Sequence, residues 1–146
     1  MPSPTSIRFD EHVMTRLTSY VARHPGLTRS AVAARYVDEG LRMEEHPGIV
    51  YRDGAIGRRA TLINGPDVWE VVRSLASARA AEPTLSETEL LALLEENTGL
   101  PARMTRTALQ YWAAYRDEID AFIDYAERAE AEHAAAAGQV SSVLSR

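Results

Sequence analysis

The sequence predicts a mainly α-helical chain that carries one short N-terminal strand and one β-hairpin. Three observations lead there. Apolar residues recur at three- and four-residue spacing along most of the chain. Asp10, Thr28, Asp67 and Ser86 each stand just before such a stripe, where a helix cap belongs. Strand-like alternation is confined to TSIRF at residues 5–9 and to the segment IVYRDGAIGRRATLI.

The first helix is expected over DEHVMTRLTSYVARH, with Asp10 as its cap and Glu11 at its positive end. Val13, Leu17, Tyr20 and Val21 form its apolar stripe, and Pro25-Gly26 ends it. Thr28 caps a second helix whose stripe is Val32, Ala33, Tyr36, Val37 and Leu41. After the break HPG, a hairpin is expected from Ile49–Tyr51 and Arg59–Ile63, with a turn over Asp53–Gly57. Asp67 caps a third helix with Val68, Val71, Val72 and Leu75 inward. Ser86 and Glu89 form a capping box for a fourth helix, which stops at Gly99. Pro101 starts a fifth, carrying Met104, Ala108, Leu109 and Trp112 on one face. An acidic amphipathic helix follows, with Ile119, Phe122, Ile123 and Ala126. The tail GQVSSVLSR shows no clear period, so residues 134–146 are expected to be flexible. The domain reading is therefore 1–45, 46–133 and a tail.

With 146 residues, of which 45% are hydrophobic, the chain can build one domain or two small ones. It has no Cys, which excludes disulfides and thiol chemistry. No apolar run approaches a membrane span, and MPSPTS lacks a signal-peptide core; a cytoplasmic protein is expected. The net charge is −5 and unevenly spread. Residues 1–46 carry six Arg against six acids, and residues 47–80 carry five against three. Residues 81–115 carry two against five, and residues 116–146 carry three against seven. Any affinity for nucleic acid belongs to the first half, and the acidic end suits a basic partner.

A lone strand leaves its backbone groups unpaired, and a unit of about 45 residues buries little. Two copies resolve both problems. If the TSIRF strands of two chains pair antiparallel, Ile7 and Phe9 cover a shared core with Val13, Leu17, Val32, Tyr36 and Val37. Ser6 and Arg8 then project together from the other face, and a two-stranded ribbon fits the DNA major groove.

The order of strand (SIRF), capped helix (DEHVMTRL), turn (HPGLTRSAV) and second helix ending in EGLRM resembles the ribbon–helix–helix repressors and antitoxins. The likeness covers residues 4–43. It implies that Ser6 and Arg8 read bases, with Pro4 on their side of the strand. It also implies that Thr28, Arg29 and Ser30 contact a phosphate, as the free N–H groups of a helix start favour. Read singly, Arg8 is better taken as an edge-strand charge and Thr28 as only a cap; the DNA reading rests on their order together.

Residues 46–125 resemble a small bacterial domain of unknown function, built from a β-hairpin and a helix–turn–helix core. That domain is often encoded beside a PIN-like ribonuclease toxin, as part of the antitoxin. Gly57, Arg58, Arg59, Asp67, Val68, Trp69, Ala108, Leu109 and Tyr111 carry the likeness, while ARAAEPTLSETE is longer than the pattern. Two uses compete. Arg103, Arg106 and Gln110 could make a second DNA-reading helix, against the local excess of acid. Alternatively the domain dimerises or binds a toxin, with Trp69, Trp112 and Tyr115 as anchors. Apolar neighbours favour a core position for Trp112. Arg58 and Arg59 either touch DNA backbone or are solvated.

The four His are scattered without ligand spacing, and no phosphate loop or nucleophile elbow is present. The expectation is a protein with no catalytic site, no cofactor and no metal. Its expected partners are double-stranded operator DNA, a second copy of itself in a homodimer or higher oligomer, and a PIN-like ribonuclease toxin. It would be the antitoxin and autorepressor of a type II toxin–antitoxin operon. The alternatives are a stand-alone transcriptional regulator, or an assembly module whose ribbon only dimerises.

Overall fold

A computed structural model describes residues 4–146. It contains six helices and one two-stranded antiparallel sheet, and it divides into a unit ending at Glu45 and a second unit from His46 to Arg146.

The first unit consists of α1 (Glu11–Ala22) and α2 (Arg29–Glu45). Asp10 caps α1 as its sequence position predicts, its carboxylate accepting the Val13 N–H at 2.9 Å. Gly26, at φ +92°, makes the turn between the helices, a conformation that favours glycine. Residues 4–9 adopt no regular secondary structure in the single chain. A strand needs a neighbour to satisfy its ladder, and the described residues of the first unit hold none.

The second unit opens with β1 (Ile49–Gly54) and β2 (Gly57–Leu62). The strands pair from Ile49↔Leu62 to Gly54↔Gly57. The connection is therefore only Ala55-Ile56, shorter than the turn expected over Asp53–Gly57. Gly57, at φ +111°, lets the ladder close this early. A second tight turn follows β2. Asn64 takes the left-handed conformation that its side chain tolerates, and the Thr61 hydroxyl donates to the Pro66 carbonyl at 3.1 Å.

Helices α3 (Val68–Ala81), α4 (Glu87–Thr98) and α5 (Ala102–Ala114) complete a three-helix core. The Ser86–Glu89 box forms: Ser86 N–H donates to the Glu89 carboxylate at 2.8 Å, and Glu89 N–H to the Ser86 hydroxyl at 3.2 Å. A second box partner, unread in the sequence, is Glu70, which accepts the Asp67 N–H at 3.0 Å. Gly99 closes α4 in the left-handed conformation, and Pro101 starts α5. Ile49, Leu62, Val68, Ala108, Tyr111 and Ile119 lie at the centre of the core, each 1% exposed or less. Tyr111 is also the polar link of the unit. Tyr51 donates to its hydroxyl at 3.1 Å, and it donates to Glu118 at 2.7 Å, tying hairpin, α5 and the next helix together.

That helix, α6, runs unbroken from Arg116 to Leu144. Residues 134–144, for which the sequence shows no clear period, continue this helix. Four consecutive Ala and straight-chain neighbours carry the helix through Gly138 and the Ser pair. At about 1.5 Å per residue its 29 residues span roughly 43 Å. Only its first third packs inward: every residue from 127 onward is exposed.

Candidate nucleic-acid interface

The first unit presents an apolar groove and exposed polar groups. No residue of α1 is buried. Val32 of α2 is 1% exposed, but Val13 stands 40% exposed, Tyr36 42% and Val37 49%. Phe9 and Leu17 are half-buried. With Val13, Tyr20, Val32 and Val37 these side chains line an open groove of about 650 Å³ between the two helices. Ile7, which does not line the groove, is 63% exposed. Of the seven residues expected in the dimer core, Ile7, Val13, Tyr36 and Val37 are exposed in the single chain, Phe9 and Leu17 are half-buried and Val32 is buried. A helix of 12 residues with no buried side chain has little to hold it. Covering such surface is worth about 25 cal/mol per Å².

The unit also exposes polar groups at two places, and the Arg29 guanidinium of the second lies 3.7 Å from the Met14 sulfur of α1. Pro4, Ser6 and Arg8 are exposed on the segment that enters α1. Thr28 caps α2, its hydroxyl accepting the Ala31 N–H at 3.1 Å and its carbonyl accepting the Val32 N–H at 3.0 Å. Arg29 and Ser30 are exposed in the first turn. A helix start of this kind offers amide donors and a positive dipole to an anion. No acid lies in that first turn.

In the second unit the basic residues separate by their engagements. Arg59 is only 19% exposed, and its guanidinium is bound to the Asp67 carboxylate at 2.5 Å. The same Asp67 oxygen accepts the Trp69 indole N–H at 3.1 Å. This triad ties the hairpin to the start of α3 and engages the Arg59 guanidinium within the fold. Trp69 is half-buried against the core, and Arg73 lies over its ring at 5.1 Å. Trp112 likewise packs on the core, bonds Asp120 through its indole N–H at 2.9 Å and carries Arg116 over its ring. Tyr115 packs against the same core. All three aromatics are half-buried. Arg58 pairs with Asp53 across the hairpin at 3.3 Å. Arg103, Arg106 and Gln110 are exposed along one side of α5, with Arg106 3.9 Å from Glu87.

The triad was hidden from sequence reading because it depends on where the turn at 63–66 delivers Asp67. Among the described residues no cluster of His, Asp and Glu suited to a metal occurs, and no helix is long and apolar enough to cross a membrane. The chain matches no family model, no curated protein and no solved structure with which it was compared.

Proposed function

We propose that this chain is a sequence-specific DNA-binding protein that acts as a dimer through its first unit. Two antiparallel copies of residues 5–9 form the DNA-reading ribbon. Ile7 and Phe9 of both copies close the groove between α1 and α2, while Ser6 and Arg8 face the bases. Thr28, Arg29 and Ser30 hold a phosphate at the start of α2. The observation that carries the reading is the uncovered apolar face of the first unit, on the same 40 residues as a polar N-terminal segment and a capped, acid-free helix start. The second unit, better packed and more acidic, assembles or holds a partner. With the sequence resemblances, this favours the antitoxin and autorepressor of a type II operon, with a PIN-like ribonuclease as its partner.

The test uses Ile7→Asp beside Phe9→Asp. Ile7 is exposed in the single chain, so its substitution leaves the monomer fold intact, whereas in the dimer it buries a carboxylate. At micromolar concentration both variants are expected to sediment as monomers and to lose operator binding. A dimeric Ile7→Asp protein that still binds operator would refute the ribbon.

A further inference from the structure

Helix α5 is held in the second unit by one side only. Gly99, Leu100 and Pro101 join it to α4. Gly99 turns the chain at φ +74°, a conformation that favours glycine, and Leu100 is buried. Helix α3 packs against both α4 and α5. Thr105, Ala108 and Tyr111 form the buried side of α5. Arg103, Arg106, Gln110, Ala113 and Ala114 are exposed together on the opposite side. From Arg103 to Gln110 the helix rises about 10 Å, close to three base-pair steps of DNA.

The acid of this part of the chain lies elsewhere. All five carboxylates of residues 81–115 precede α5, which carries two Arg and no acid. Glu118 and Asp120 of α6 are bonded to Tyr111 and Trp112, away from the exposed side. Glu87 of α4 stands 3.9 Å from Arg106, with their side chains 80% and 52% exposed. An ion pair so open to water holds Arg106 weakly.

We infer that the exposed side of α5 enters the major groove of double-stranded DNA and reads bases there. An Arg donates two hydrogen bonds to guanine and a Gln pairs with adenine, so Arg103, Arg106 and Gln110 suit neighbouring base pairs. Ala113 and Ala114 present no bulk that holds the helix off the groove. The major groove of B-DNA admits an α-helix, whereas that of A-form RNA is too narrow. A protein partner needs apolar or aromatic anchors at the centre of the contact, and these five residues supply no large apolar side chain. The contact adds a DNA-reading role to the assembling role of the second unit. It uses no residue of the first unit, so it stands apart from the ribbon.

The test is a selection of duplexes from a randomised pool by the full-length protein. It is repeated with Arg103→Ala, Arg106→Ala, Gln110→Ala and Arg8→Ala. The three α5 side chains are exposed, so urea unfolding followed by Trp fluorescence should be unchanged in their variants. The unsubstituted protein is expected to enrich two blocks of preferred bases. The α5 variants should lose preferences in one block and keep the other, and Arg8→Ala should keep the block that they lose. On the best selected duplex each α5 variant should bind roughly 5- to 150-fold more weakly, while binding to an unrelated duplex changes far less. If Arg8→Ala changes no preference but the α5 variants do, the ribbon fails and this contact stands. The same enriched bases from the α5 variants as from the unsubstituted protein, or no enriched bases at all, would overturn base reading by α5. Equal weakening on both duplexes would also overturn it, making these residues phosphate contacts only.

Discussion

The Arg59–Asp67–Trp69 triad gives the second unit a testable joint. Asp67→Ala removes a carboxylate that is 14% exposed and leaves the Arg59 guanidinium, 19% exposed, without its partner. Breaking a fully buried pair from one side costs about 3–5 kcal/mol, and an exposed pair is worth about 0–1 kcal/mol. The partial burial of both groups places this pair between those limits. The indole N–H loses its acceptor at the same time, adding about 1 kcal/mol. A destabilisation of about 2–4 kcal/mol follows. Both Trp residues lie in the second unit, so urea unfolding followed by Trp fluorescence reports this unit alone. Arg59→Ala should cost less, because it removes the charge that Asp67→Ala strands. The double variant should fall well short of the sum, with a coupling of at least about 1 kcal/mol. A loss below about 0.5 kcal/mol for Asp67→Ala, or strict additivity in the cycle, would refute the joint.

Further predictions concern caps and one close approach. Hydrogen bonds from Ser86, first from its backbone N–H and then from its hydroxyl, hold the Glu89 carboxyl below its ordinary value of 4.5. A group depressed in the folded state stabilises above its ordinary value, and that contribution disappears as pH falls from 4.5 through the folded value. An NMR titration of the Ser86 amide should therefore show a midpoint below 4.5, and Ser86→Ala should move it upward; an unchanged midpoint would contradict the box. Thr28→Ala should destabilise the first unit by about 1 kcal/mol, read by far-UV circular dichroism because that unit lacks Trp. A Cβ at Gly54 would stand 1.4 Å from the Arg59 guanidinium, so Gly54→Ala should displace Arg59 from Asp67 and reproduce part of the Asp67→Ala loss. A fully stable Gly54→Ala protein would show that Arg59 relaxes without leaving its partner.

The elements most legible in the sequence were those whose signals are local. Asp10, Thr28, Ser86 with Glu89, Gly99 and Pro101 each mark a helix end through a bond or a backbone angle made within a few residues. The hairpin was legible in place but not in turn length, because paired Gly54 and Gly57 continue the ladder into the expected turn. The length of α6 was obscured by Gly138 and the Ser pair, although the spacing from Ile119 to Leu144 runs through them. The role of Arg59 was not legible, since its partner arrives through a turn and its burial is tertiary. Residues 5–9, which form no regular secondary structure in the single chain, raise a different problem. Alternation specifies which side chains face together, but backbone pairing requires a second strand, and one chain does not contain it.

The central claim is that the segment before α1 reads DNA sequence, and Arg8 tests it most directly. Full-length protein and Arg8→Ala are titrated against the promoter of the protein's own operon and against an unrelated duplex, each over a series of salt concentrations. Loss of a base contact should weaken promoter binding by about 1–3 kcal/mol per contact while binding to the unrelated duplex changes far less. Equal weakening on both duplexes, with a shallower salt dependence, would make Arg8 a phosphate contact only. No change on either would contradict DNA reading by this segment.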